Sequence, residues 1–239
     1  MPSDYFRFKQ FEIEQRQSAM RVGTDGVLLG AWADVRGDEQ RVLDVGCGTG
    51  LLALMVAQRN SKVVVDAIEI EPLAAQEAAL NARRSRWNER IFVREISLQE
   101  YAATSEKRYC LIISNPPFFL NSSHNMQLTR TAARHAALLP YSDLVDGVIS
   151  LLKPEGRFCA IFPYSEAGIF MAKAAREGLY CNKKLNITPI AGRSVKRIAA
   201  EFSFAKTELL EENLTIETTN PREYSREYRE LTSPFYLRF

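Results

Sequence analysis

Two short stretches carry residue types whose spacing could do chemistry. The first is VLDVGCGTG, residues 42–50. An apolar run delivers Asp44, then Gly46, Cys47, Gly48 and Gly50, into the start of a second apolar run. Glycines at a strand-to-helix turn let a ligand approach the backbone closely. The helix that follows favours an anionic group at its N-terminus. Glu69 lies nineteen residues beyond Gly50, at the end of the next apolar run. A carboxylate there is placed for the two hydroxyls of a ribose. The loop reads G-C-G-T-G, so it is neither the G-x-G-x-x-G of a dinucleotide site nor a P-loop with its Lys-Ser or Lys-Thr pair.

The second stretch is LIISNPPFFL, residues 111–120. Pro116 and Pro117 cannot donate to a sheet ladder, so they end the strand in a rigid elbow. The elbow offers two acceptors, the Asn115 side-chain oxygen and the Pro116 carbonyl, with the Phe118 ring beside them. Two acceptors and a ring suit a planar amine or amide. Held rigidly, the acceptors would oppose the positive charge that develops when such a nitrogen is alkylated.

The loop resembles the D-x-G-x-G-x-G motif of class I S-adenosylmethionine-dependent methyltransferases. That resemblance implies that Asp44 lies near the donor's methionine amino group and that Glu69 binds its ribose. NPPF resembles the [DNS]-P-P-[FYW] motif of methyltransferases acting on planar nitrogens, in which the elbow sits next to the methyl donor.

These residues need a scaffold that brings several strand ends together. RVLDVG, KVVVDAIEI, RIFVREI, CLIIS and GRFCAIFP read as buried strands. TGLLALMVAQR, PLAAQEAALNARRS, PYSDLVDGVISLL and SEAGIFMAKAARE read as helices, the second opened by Pro72 in its first turn. The alternation implies βαβ units and a mostly parallel sheet with helices on both faces. LYCNKKLNITPI and KRIAAEFSFA, with no helix between them, read as an antiparallel hairpin at one edge. The expected fold is therefore α/β, Rossmann-like, with a seven-stranded sheet. One domain spans 1–239, with 1–40 as an extension closing over the donor site and 41–239 as the core. In the extension, FRFKQFEIEQ reads as short strands, and Thr24 or Asp25 as the cap of a helix.

Composition narrows the class. The chain has 239 residues, 46% hydrophobic and 25% charged, with a formal net charge of +2. Global charge therefore says little about a polyanionic partner, and local clusters must carry that argument. The start, MPSDYFRFKQ, lacks the basic and apolar regions of a signal peptide, and no apolar run could span a bilayer. A cytoplasmic protein without membrane association is expected. Cys47, Cys110, Cys159 and Cys181 include no C-x-x-C pair and read as reduced thiols. His124 and His135 have no partner at metal-ligand spacing, so no metal is expected.

FKQFEIEQRQSAMRVGTDGVLLGAW, AIEIEPLAAQEAALNA, SNPPFF and the ending YSREYRELTSPFYLRF together resemble the bacterial tRNA(Val) adenine-N6 methyltransferase family, over nearly the whole chain. The resemblance implies methylation of adenosine 37 in the anticodon loop of that tRNA, with S-adenosylmethionine as donor. It implies that Thr24 and Asp25 lie near the donor's methionine end, and that Asn115, Pro116 and Phe118 hold the adenine. An Asp often ends the third strand in this family and reads the donor's adenine; here Ser97 stands at about that place. Pro117, Phe119, Arg130, Arg134, His135, Arg193, Lys196 and Arg197 are the candidates for contact with RNA, and a monomer is expected. The alternatives are a protein glutamine-N5 methyltransferase, an rRNA guanine-N2 methyltransferase and an inactive RNA-binding homologue.

Overall fold

The architecture comes from a computed structural model that describes residues 4–18, 20–35, 37, 41–117, 139–220 and 222–238. A small antiparallel pair, β1 (Tyr5–Arg7) and β2 (Glu12–Glu14), comes first and is followed by α1 (Thr24–Trp32). The alternating core then runs β3 (Arg41–Val45), α2 (Leu51–Arg59), β4 (Val64–Glu69), α3 (Pro72–Arg84), β5 (Ile91–Glu95), α4 (Leu98–Thr104) and β6 (Tyr109–Ser114). After it come α5 (Tyr141–Leu151), β7 (Leu152–Pro163), α6 (Tyr164–Arg176), β8 (Tyr180–Ile190), β9 (Arg197–Ser203), β10 (Leu210–Glu217) and α7 (Arg226–Thr232).

The main sheet has eight strands in the order β10-β8-β9-β7-β6-β3-β4-β5. Strands β7, β6, β3, β4 and β5 are parallel neighbours, and β9 is antiparallel to both β7 and β8. The expected antiparallel hairpin is there, but the strand count was one short. β10 pairs parallel to β8 and covers the edge that the hairpin would otherwise expose. Its sequence, LEENLTIE, carries only one fully buried residue, Leu214. An edge strand has little apolar pattern to announce it.

The strands alternate between two cores, as the pleat requires. Val42, Leu111, Ile113, Cys159 and Ile161 face α1, α2 and α3, while Leu43, Ile112, Phe158, Ala160 and Phe162 face α4, α5 and α6. Buried polar residues interrupt the central strands at Asp44 and Ser114, both wholly buried, and at Asp66 and Glu69 in β4.

The chain ends are tied together. Phe8 bridges to Tyr236, and the Lys9 amide donates to the Phe235 carbonyl at 2.8 Å. Phe235 and Tyr236 thus pack on the N-terminal pair, and Phe8, Phe11 and Phe235 join the α1-side core. Among the described residues, no helix is long and apolar enough to cross a membrane.

Candidate active site

Strand β3 delivers Asp44 to the sheet's C-terminal end, and the turn after it has positive φ at Gly46, Gly48 and Gly50 (67°, 54° and 81°). Only glycine adopts that backbone without strain. A β-carbon added at Gly46 or Gly48 would meet nothing within 4 Å, so the loop faces open space. The amides of Gly46 and Cys47 both donate to the Ile68 carbonyl, at 2.9 and 3.0 Å, which pins the loop to β4.

Two carboxylates flank the loop. Asp44 Oδ2 accepts from the Ala53 amide in α2 at 3.0 Å, and Oδ1 has no partner among the described residues. Burial pushes the Asp44 carboxyl up to about 7; the Ala53 hydrogen bond opposes this and Glu69 adds to it. An orphaned buried acceptor is costly unless something fills it. Glu69 Oε2 accepts from the Gly48 amide at 2.9 Å and Oε1 from the Glu71 amide at 3.0 Å. Each carboxylate oxygen keeps a second lone pair for a diol. Burial pushes the Cys47 thiol well up, and Asp44 and Glu69 push it further, so Cys47 is packing rather than a nucleophile.

Ser97 has a structural task at the end of β5. Its hydroxyl accepts from the Glu100 amide at 3.1 Å and caps α4, a helix that sequence reading passed over. One acceptor site of Ser97 is thereby committed to the helix.

Strand β6 ends beside β3, with Ser114 opposite Val45 and its hydroxyl donating to the Val45 carbonyl at 2.8 Å. The next residue is Asn115, whose buried side-chain oxygen has no partner among the described residues. Pro116 is buried and Pro117 partly so. Phe118, Phe119, Arg130, Arg134, His135 and also His124 lie outside the described residues.

The N-terminal extension meets this elbow through α1. A β-carbon on Gly26 would lie 2.9 Å from Leu51 Cδ2 and 3.9 Å from Asn115 Nδ2, so only glycine lets α1 approach so closely. Neither Thr24 nor Asp25 caps that helix: Gly23 is the N-cap, with no side-chain cap bond. Thr24 is exposed in the first turn, and Asp25 Oδ2 instead accepts from Arg197 Nε at 2.7 Å. Arg197 therefore ties β9 to α1, and its guanidinium is not a free cation for RNA. Arg193 and Lys196 are exposed between β8 and β9.

Two further site residues escaped sequence reading. Glu77 on α3, only 5% exposed, accepts from the amides of Arg16 (2.6 Å), Gln17 (2.9 Å) and Ser18 (2.9 Å). One turn on, Asn81 Nδ2 donates to the carbonyls of Glu14 and Thr49, both at 2.9 Å, and Oδ1 accepts from the Glu14 amide at 2.9 Å. Residues 14–18 and the glycine loop are therefore strapped to one helix. The signal was a Glu and an Asn four apart on the stripe of Ala74, Ala78 and Ala82, where an amphipathic helix should carry apolar residues.

A glycine turn open to a ligand, an orphaned Asp44 oxygen before it and a ribose-placed Glu69 after it fit S-adenosylmethionine. Set on this strand order, they define a class I S-adenosylmethionine-dependent methyltransferase. Residues 22–139 match the family model described as the methyltransferase small domain. A crystal structure of a predicted O-methyltransferase from Agrobacterium tumefaciens superposes with a TM-score of 0.69 at 18% identity, covering 88% of this chain and 96% of that one. The ribosomal protein L11 methylase of Lactobacillus delbrueckii subsp. bulgaricus gives 0.52 at 21% identity, covering 74% and 76%. Both share the fold. Sequence relatives say more. The chain is 45% identical to the tRNA1(Val) (adenine(37)-N6)-methyltransferase of Trichodesmium erythraeum, over 100% of both chains. It is 43% identical to that of Bacteroides fragilis, again over 100% of both. With that of Musicola paradisiaca it shares 37% identity, over 98% of this chain and 95% of the other. The chain belongs to the tRNA1(Val) (adenine(37)-N6)-methyltransferase family.

Proposed function

We propose that this protein methylates the exocyclic N6 of adenosine 37 in tRNA1(Val), the reaction that the names of its full-length relatives state. The observation that carries the reading is the Asn115 oxygen, buried and without a partner among the described residues, at the end of β6 beside the glycine loop.

The lone pair of an adenine amine is delocalised into the ring, which makes it a poor nucleophile. Asn115 Oδ1 accepts one N–H and the Pro116 carbonyl the other, drawing the nitrogen toward tetrahedral geometry. Both acceptors then face the positive charge that forms on it, and the rigid Pro116-Pro117 segment holds them in place before reaction. S-adenosylmethionine, when bound, supplies an electrophilic methyl group on a sulfonium. Asp44 would hold the donor's ammonium and Glu69 its ribose, with the loop from Gly46 to Gly50, Cys47 included, supplying the backbone surface. Thr24 and Asp25 would close the methionine end, and Ser97 would border its adenine. Alkylation would leave the nitrogen acidic enough to lose its proton to water, so Asn115 and Pro116 would act as acceptors only and no general base is needed.

Phe118 and Phe119 stack against the target base, with Pro117 beside them. Arg130, Arg134, His135, Arg193 and Lys196 meet RNA phosphate. The protein works as a monomer in the cytoplasm, with residues 1–40 closing over the donor and 41–239 forming one core. The test is to incubate it with labelled donor and separate tRNA, rRNA and protein pools, then digest the RNA to nucleosides. N6-methyladenosine confined to the tRNA pool is expected. Label in protein glutamine or in guanosine would overturn the assignment.

A further inference from the structure

Two aromatic side chains among the described residues stand out in water, Phe92 at 48% exposure and Tyr164 at 61%. Only Tyr164 is at the end of the sheet where the site lies. In the parallel strands β3, β6 and β7, Val45, Ser114 and Ala160 are level with one another. Asn115 lies one residue past that level and Tyr164 four. Pro163, the last residue of β7, thus stands two residues farther out than Asn115, about 7 Å at the rise of a strand, and Tyr164 follows it as the first residue of α6.

Its neighbours make a continuous rim. The Tyr164 amide donates to the Lys196 carbonyl at 3.0 Å. The next residue, Arg197, holds Asp25 at 2.7 Å, and Gly26 follows beside the Asn115 amide. The Tyr164 ring makes no aromatic contact, and its hydroxyl no hydrogen bond, with any described residue.

We propose that Tyr164 stacks on a nucleobase flanking the methylated adenosine, with Lys196 and Arg193 against the phosphates beside it. The inference rests on the RNA reading above. Swinging one base into a pocket strips its neighbour of a stacking face. An exposed ring beyond the level of the acceptors, with exposed Lys196 beside it and exposed Arg193 in the same β8–β9 turn, replaces that face. The target base is held deeper, at Asn115, so the two rings have separate tasks.

The test uses the full-length protein and a tRNA1(Val) transcript. Tyr164→Ala should raise KM for tRNA roughly five- to 150-fold, the range that base stacking implies. Its kcat at saturating RNA and its Kd for donor should stay at the parent values. Tyr164→Phe should restore the parent KM, because the ring and not the hydroxyl is the contact. Tyr164→Trp should show indole fluorescence quenched by added tRNA. The salt slope of binding should be unchanged in Tyr164→Ala and shallower in Arg193→Glu with Lys196→Glu. A parent-like KM in Tyr164→Ala, with tRNA methylation intact, overturns this inference alone, as does a phenylalanine variant as poor as the alanine one. Absence of RNA methylation by the parent overturns the proposed function, and this inference with it.

Discussion

The Gly48 amide donates to Glu69 Oε2 at 2.9 Å, joining the glycine loop to the end of β4 in one hydrogen bond. The carboxylate that we propose for the donor's ribose therefore also shapes the loop. Glu69→Ala should weaken donor binding by roughly 10- to 100-fold, as expected for losing hydrogen bonds to a charged group. Titration calorimetry measures it. An unchanged Kd would remove Glu69 from the donor site.

Asn115 should act in the chemical step. Asn115→Ala should lower kcat on tRNA by roughly 10²- to 10³-fold, the scale of removing one aimed electrostatic partner, and leave donor affinity unchanged. Asn115→Asp keeps an acceptor and should fall between the two. Steady-state rates at saturating RNA decide this, since a KM-only effect would make Asn115 a binding residue.

The strap at Glu77 should matter to folding and to donor binding together. Glu77→Ala leaves three backbone amides without their acceptor. The expected loss is about 2–5 kcal/mol in thermal or urea unfolding. At temperatures where the variant is folded, its Kd for donor should still rise, because residues 14–18 no longer pack beside the glycine loop. A variant destabilised but with parent donor affinity would confine Glu77 to stability.

Asp44 should make both stability and donor binding depend on pH. Its carboxyl titrates near 7 when folded and 3.8 is its ordinary value. A raised folded value favours the folded state fully below about pH 4, and that contribution fades as pH climbs through 7. Asp44→Asn should therefore gain on the parent in unfolding free energy between pH 4 and pH 8, by a few kcal/mol at most. Donor binding runs the other way. A cationic ammonium beside Asp44 favours the ionised form, so parent affinity should rise with pH up to about 7 and then level off. The Asn variant should show no such rise. Calorimetry across pH checks both.

Much of this was legible in the chain. Parallel strands buried on both faces read as unbroken apolar runs, and β3, β4, β6 and β7 were visible for that reason, while the edge strand β5 was legible from its place in the alternation of strands and helices. The Asp44-to-Gly50 loop and Glu69 were legible because phosphate- and ribose-handling turns need glycine and an acid at fixed offsets. Asn115 was legible because two prolines after a buried strand have few other uses. α4 was not, since only Leu98 and Tyr101 of its seven residues are buried. β10 was hidden for the same reason, its pattern being mostly polar.

Sequence by itself determined the local units: which runs bury, where the chain must turn, and which side chains stand at strand ends. Those follow from propensity and periodicity within a few residues. Only the tertiary structure decided the partnerships across long separations. Arg197 looked like a free cation until β9 brought it 172 residues back to Asp25. Glu77 takes its role from residues 16–18, which fold onto it from about 60 residues away. Tyr164 takes its place from β7, which runs beside β6 and carries it beyond the level of Asn115. A charge or a ring takes its role from what lies within a few ångströms, and that distance is set by the whole fold rather than by its neighbours in the chain.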